Sequence, residues 1–412
     1  MSTPHDRFTQ ITRAFSRREF VAVTGAAGLA SVAVPVFSQP VPPAGPKVKL
    51  GIIGCGGRGK WIAGLFKKHG GYDFHAAADY FPEEAKVAGD ELGIDASRRF
   101  SGLNGYKRLI ESGVEAVALE TPPYCLPDHA TAAVAAGLHV YMAKPVSADV
   151  PGALAVKAAG EAATGKKRVF LVDYQMPTDP VNIEIASRIR AGGLGLIQQV
   201  QTNGICGGFN DPPLSDTIES RLRGLIWVND IAIGCDYLGN FDIHAIDVAL
   251  WLLAKRPIAA SGASSVARPN AHGDAHGVCS VVFEYEGGVI HNHFGQGLGN
   301  NREGELSCTV HGQQAHAVVH YWGKSYLKGG PKHFGGGSVD NLYEAGASRN
   351  IAAFHAAVTQ GDCSNPIVGR AVDGVLACIL GREAAMRRTR LTLEEVIREN
   401  KRLEVNLKGL KE

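Results

Sequence analysis

Gly54-Cys55-Gly56-Gly57-Arg58-Gly59 sets three glycines at the spacing G-x-G-x-x-G. Before this turn, Val48, Leu50, Ile52 and Ile53 form a short apolar run; after it, Trp61, Ile62, Leu65 and Phe66 recur at helical spacing. The glycines therefore join a buried strand to a helix, the setting in which they can cradle a dinucleotide. Gly54 permits the tight turn, Gly56 lets backbone approach a pyrophosphate, and Gly59 lets the helix pack closely with its N-terminus toward the phosphates. Gly57 and Arg58 complete the expected cofactor loop. A second apolar run, Phe74–Ala78, ends at Asp79, 20 residues after Gly59. A carboxylate there accepts hydrogen bonds from the adenosine ribose hydroxyls and repels a 2′-phosphate. Tyr80 follows it rather than an arginine, so NAD is expected over NADP.

The elements that must position these residues alternate. A helix is predicted over 106–112, a strand over 115–120, and a turn Thr121-Pro122-Pro123-Tyr124 leads to a helix over 128–136. Strands follow over 139–143 and 168–172, the first ending at Lys144-Pro145. Such alternation predicts a doubly wound parallel sheet, a Rossmann domain over 47–168, with ligands at the carboxyl ends of its strands. Thr121, Pro122 and Lys144 lie at those ends and are expected at the cofactor. Beyond Val172 the pattern changes to short strands (198–202, 277–285, 288–294, 305–311) and helices over 181–191, 245–253 and 350–359, an α+β domain over 169–412 that ends in a solvated amphipathic helix over 391–403. At helical spacing His244, Asp247 and Trp251 share one side, while Ile243, Ile246, Leu250 and Leu253 form an apolar side. Asp173, Gln175, Arg221, Arg223 and Asn229 are further polar candidates for substrate contact.

The segments GIIGCGGRG (51–59), ETPPYCLPDHATAAVAAGLHVYMAKP (120–145) and DIHAIDVALWLL (242–253) resemble the glucose-fructose oxidoreductase / inositol dehydrogenase / rhizopine-catabolism (Gfo/Idh/MocA) family over residues 47 to about 405. The resemblance implies a second domain with an open, mostly antiparallel sheet, helices on one face and a homo-oligomer contact (dimer or tetramer) on the other. It implies a sugar-like substrate, Lys144 as the active-site lysine polarising the reacting oxygen, often before a cis-proline, His244 as base or proton relay, and Asp247 orienting His244 or holding a sugar hydroxyl. Two positions depart from the family pattern. Ala143 stands where the family has the glutamate of Glu-Lys-Pro, and Asn240 stands where its D-x-x-x-H-x-x-D motif begins, with Asp242 nearby.

The first 38 residues read as an export signal: Arg17 and Arg18 precede an apolar run, Phe20 to Phe37, broken by Gly25, Gly28 and Pro35, then a Pro-rich linker over 39–46. The twin arginine resembles the signal of the pathway that exports folded proteins, so a periplasmic chain carrying its cofactor is expected, with no membrane association after processing. Of 412 residues 45% are hydrophobic and 20% charged, and the net charge is +2. A near-neutral body gives no field for nucleic acid. Eight widely spaced cysteines include no C-x-x-C pair and argue against zinc. His291 and His293 share a strand face and, lacking a nearby acid in sequence, are expected to serve the sheet or an interface rather than a metal. Free NAD is scarce outside the cytoplasm, so three activities remain: oxidoreduction of a sugar CH–OH with an internally recycled NAD, NAD-dependent glycoside cleavage through a transient keto sugar, or sugar binding with the cofactor kept as structure.

Overall fold

The computed structural model describes residues 45–339 and 341–412. The expected signal segment, 1–38, lies outside them. Among the described residues no helix is long and apolar enough to cross a membrane.

The first sheet is built from β1 (Val48–Ile53), β2 (Tyr72–Asp79), β3 (Arg99–Ser101), β4 (Ala116–Leu119), β5 (His139–Met142) and β6 (Phe170–Val172). Between them run α1 (Gly57–His69), α2 (Pro82–Leu92), α3 (Gly105–Ile110), α4 (Leu126–Ala135) and α5 (Val150–Gly165). The order is β3-β2-β1-β4-β5-β6 and every pair is parallel. This is the expected doubly wound sheet. The order reverses between β1 and β4, where a crevice opens at the carboxyl ends of the strands. β6 carries the sheet past the expected domain limit at residue 168.

The second part contains α6 (Pro180–Arg190), β7 (Ile197–Cys206), α7 (Ile243–Leu253), β8 (Ala259–Ser265), β9 (Val278–Glu284), β10 (Ile290–Gly297), β11 (Glu305–Gly312), β12 (Ala315–His320), β13 (Lys324–Gly329) and β14 (Phe334–Ser338). It ends with α8 (Leu342–Gln360), α9 (Pro366–Arg387), β15 (Leu391–Thr392) and α10 (Leu393–Glu399). Nine strands make one sheet, β14-β13-β12-β11-β7-β10-β9-β8-β15. Only β7 and β10 run parallel; the other pairs are antiparallel, as expected.

Strand patterning explains the sheet's two faces. Along β10, His291, His293 and Gly295 are buried, while Ile290 and Phe294 stand exposed. The buried face takes α7 and α9. α9 is buried from Gly374 to Ala385 on nearly every side, so it shows no amphipathic period. At Gly381 a side chain would press on Phe283, 2.8 Å from its ring, so glycine lets this helix approach the sheet.

The end of the chain differs from expectation. In place of one helix over 391–403, a capping box of Thr392 and Glu395 starts α10 and Asn400, at φ 45°, stops it. The tail then crosses back: the Leu403 amide donates to Asp149 Oδ2 at 2.9 Å and the Leu103 amide to Lys411 O at 2.9 Å. α8 also leaves its expected domain and packs on the first sheet's helix layer. Its Phe354 is fully buried beside Phe66, Tyr72 and Tyr141, and the Tyr72 hydroxyl donates to Ile351 O at 2.8 Å. Phe354→Ala should therefore destabilise the fold by about 3–5 kcal/mol, read as a lower urea midpoint.

Candidate active site

The glycine turn has the expected form. Gly54 lies at φ 94°, where a side chain would also strike the Glu120 backbone at 2.7 Å. A Cβ on Gly59 would overlap the Gly54 carbonyl, so only glycine lets α1 start this close to β1. Around Gly56 and Gly57, by contrast, nothing lies within 4 Å of the missing Cβ. The N-terminus of α1 thus faces open space with no acidic residue in its first turn to neutralise it. That hollow fits a pyrophosphate. Asp79, at the end of β2, accepts the Cys55 amide at 2.6 Å and the Phe81 amide at 2.9 Å. It pins the turn and keeps lone pairs for a ribose hydroxyl. Burial pushes its carboxyl above the usual range, and those two amide bonds pull against that. Cys55 is a buried filler, and all eight cysteines are free.

Arg58 does more than complete the loop. Its guanidinium leaves α1 and bridges three elements: Nε meets Glu120 Oε2 at 2.8 Å, one terminal nitrogen meets Asp173 Oδ2 at 2.5 Å, and the other donates to the Tyr343 hydroxyl at 2.6 Å. Tyr343, on α8, stacks on Trp61 with ring centres 4.2 Å apart. Glu120 and Asp173 have fully buried side chains at the carboxyl ends of β4 and β6. Asp173 also accepts Asn350 Nδ2 at 2.8 Å and Gln175 Nε2 at 2.8 Å. The Tyr321 hydroxyl donates to Gln175 Oε1 at 3.3 Å.

Lys144 follows β5 and precedes a cis-proline, as expected. Its Nζ donates to the backbone carbonyl of Asn240 at 2.5 Å. Burial and the nearby Arg58 cation lower its ammonium to about 7, while Asp173 and Glu120 pull the other way. Burial raises Glu120 to about 7 against the pull of Arg58. Asn240 lies in a wide π-type turn, Leu238–Asp242, that leads into α7. His244 on α7 is buried, edge-on to Tyr321 with ring centres 5.4 Å apart. Its Nδ1 has no hydrogen-bond partner among the described residues. Burial, then the Lys144 and Arg58 cations, hold it well below the usual histidine range, so it is a neutral imidazole.

Several expectations need correction. Asp247 does not orient His244: its Oδ1 accepts Arg370 Nε at 2.8 Å, because α9 brings an arginine no local spacing could announce. Its Oδ2 has no partner among the described residues. Thr121 Oγ1 lies 3.2 Å from His129 Nδ1, so its hydroxyl has a protein partner, and Pro122 O accepts the Cys125 amide at 2.9 Å. Both follow the carboxyl end of β4. Of the further candidates, Asp173 and Gln175 join the Lys144 cluster. Arg221 instead pairs with Asp211 and Asp230, each at 2.7 Å, and Asn229 bonds Tyr237 and Asn210 O; these two fasten the 209–230 loop. Arg223 lies over the Phe81 ring, 3.7 Å from its centre. His291 and His293 are buried, and His293 Nε2 lies 3.0 Å from Asp242 Oδ2, so the acid missing from their sequence neighbourhood arrives through the fold. Asn350, Tyr321, Tyr343 and Arg370 join the site from afar, with no local sequence signal. Glu120 alone left a mark: a carboxylate closing the apolar run Ala116–Leu119.

Residues 48–174 match the family described as the oxidoreductase family, NAD-binding Rossmann fold (Gfo/Idh/MocA). This stretch is similar to the NAD-binding Rossmann domain of that oxidoreductase family. The inositol 2-dehydrogenase of Rhizobium meliloti is 24% identical over 234 residues, 57% of this chain. The match spans 63% of that enzyme's length, short of the whole protein. An inositol dehydrogenase homolog from Azotobacter vinelandii, solved with NAD+, superposes with a TM-score of 0.68 at 20% identity, covering 84% of this chain and 97% of that one. An aldose-aldose oxidoreductase from Caulobacter crescentus, solved with glycerol, gives 0.67 at 19% identity over 84% and 99%. At these identities the structural likeness establishes the fold, which includes the second sheet.

Replacing Arg58 leaves two buried carboxylates without their cation. Arg58→Met should cost about 3–5 kcal/mol of stability, measured by urea unfolding; a loss under about 1 kcal/mol, the range of exposed pairs, would show that Glu120 and Asp173 do not depend on it.

Proposed function

We propose that the chain is an NAD-dependent oxidoreductase acting on the CH–OH group of a sugar or sugar derivative, with the cofactor held through the catalytic cycle. One observation carries this reading: Lys144 is half-buried at the carboxyl end of β5, in a sheet whose glycine turn is open, with its Nζ on the Asn240 carbonyl of the turn that leads to His244. When bound, NAD supplies the hydride acceptor. Asp79 and the backbone of Gly54–Gly59 would hold its adenosine ribose and pyrophosphate. Lys144, already a donor to Asn240 O, can turn an N–H to the substrate oxygen and stabilise charge developing there. His244 Nδ1 is free to take the hydroxyl proton. Asp247 Oδ2, still unpartnered, suits a sugar hydroxyl, with Arg370 fixing the carboxylate. Asn350 and Gln175, the latter held by the Tyr321 hydroxyl, keep Asp173 fixed.

The relatives that act on inositol and aldoses support a polyhydroxylated substrate. The twin-arginine segment supports export of the folded chain to the periplasm, where a retained cofactor is required. Exposed Ile290 and Phe294 on the open face of the second sheet support self-association through that face.

Lys144→Met should lower turnover by roughly 10²–10⁴-fold while NAD stays bound, measured by steady-state kinetics with a panel of free sugars and glycosides. Unchanged turnover removes Lys144 from the reaction. If glycosides release an aglycone with no net acceptor consumed, redox-neutral cleavage replaces net oxidation. If no sugar or glycoside changes the 340 nm absorbance of the bound cofactor, the chain is a sugar-binding protein. The pH dependence follows from the lysine. Its ammonium, depressed to about 7 by burial and Arg58, is charged below that value and loses its proton above it. Turnover should therefore fall roughly tenfold per unit as pH rises past about 7; a profile flat into the alkaline range contradicts a polarising ammonium.

A further inference from the structure

Under α7 the second sheet carries a second cluster of buried polar groups that the reaction does not use. β7, β10 and β9 are neighbours there, and Thr202, Gly204, His291, His293, Gly295 and Cys279 point to the same buried face. Asp242, the last residue of the wide turn before α7, lowers its carboxylate onto the two glycines. It does not cap the helix: no side-chain cap bond forms. A Cβ on Gly204 would overlap Asp242 Oδ1. A Cβ on Gly295 would collide with Asp242 Oδ2 and lie 2.6 Å from Cys279 Sγ and 3.2 Å from His293 Nε2. Three different donor types therefore converge on the space that one missing side chain leaves.

We propose that Asp242, Cys279 and His293 form a zinc site that fastens the start of α7 to the second sheet. One donor atom from each residue lies within 4.8 Å of the other two, and all three residues are buried. A triangle of that size has its centre within about 2.8 Å of each corner, and inward shifts of at most about 0.5–0.8 Å reach the ~2.0–2.3 Å of zinc bonds to sulfur, nitrogen and oxygen. The second oxygen of Asp242 supplies a fourth donor. The mixed sulfur, nitrogen and oxygen set favours zinc over magnesium or calcium. One carboxylate, one thiolate and a neutral imidazole balance a doubly charged cation, so the filled site carries no net charge into a dry interface.

The surrounding hydrogen bonds fit a metal-bound His293. With Nε2 on the ion, Nδ1–H donates to Thr202 Oγ1 at 2.9 Å, the Thr202 hydroxyl donates to His291 Nε2 at 2.6 Å, and His291 Nδ1–H donates to the Tyr285 hydroxyl at 3.2 Å. Such outer partners orient ligating imidazoles. On binding, Cys279 gives its thiol proton to solvent, and His293 stays neutral by carrying its proton on Nδ1. The ion would hold the turn that presents Asn240 O to Lys144 and His244 to the crevice.

The test is metal analysis of the full chain, purified without chelators or a histidine tag from zinc-supplemented cells. About one zinc per chain is expected, and cobalt exchanged into the site should give a thiolate-to-cobalt charge-transfer band. Cys279→Ser should abolish that band and lower zinc content at least about tenfold, with the far-ultraviolet circular dichroism unchanged. Two results overturn the site: wild-type protein with less than about a tenth of a zinc per chain that takes up neither metal, or bound metal that Cys279→Ser leaves untouched. Should Cys279→Ser fail to fold, the wild-type zinc content and cobalt spectrum decide alone.

Discussion

Two buried carboxylates at the edge of the first sheet cannot stay ionised without a cation, and the guanidinium of Arg58 meets both. The rest of the active region is arranged around that constraint. Ionised side chains in a dry interior cost several kcal/mol each unless paired and hydrogen-bonded. Arg58 therefore fixes α1 against β4 and β6, and Tyr343 draws α8 onto the same nitrogen cluster. Arg58 thus links the glycine cradle, the strand ends beside the lysine and α8, alongside the Asn350–Asp173 bond and the packing of Phe354.

This arrangement also explains the two departures from the family pattern. The glutamate that Ala143 replaces would sit next to Lys144 in sequence. Here the negative charge near the lysine comes from Glu120 and Asp173, on the two strands flanking β5. At Asn240 the backbone carbonyl accepts the Lys144 ammonium. Asp242, two residues on, turns away from the crevice to His293. The lysine keeps a depressed ammonium beside the Arg58 cation and the carboxyl groups of Asp173 and Glu120.

How far the sequence revealed this follows from the range of each signal. The glycine turn, Asp79, the parallel strands and the helix bearing His244 were legible, because strand and helix periods and turn chemistry are local. Lys144 was legible from its place after β5 together with the family likeness. α9 was not, since a helix buried on almost every side has no polar stripe to set its period. The partners of the candidate residues were hidden for a different reason. Arg58 meets Asp173 115 residues away, and Asp247 meets Arg370 across 123. Those contacts are set by how helices pack on sheets, and no spacing rule reaches that far.

The proposed reaction requires that this crevice keep its nicotinamide cofactor through the catalytic cycle. The most direct measurement is the nicotinamide released by acid from the purified, extensively dialysed full chain. Near one NAD(H) per chain is expected. Protein that carries no nicotinamide and retains none after incubation with NAD would contradict the redox reading and leave the crevice a sugar-binding site.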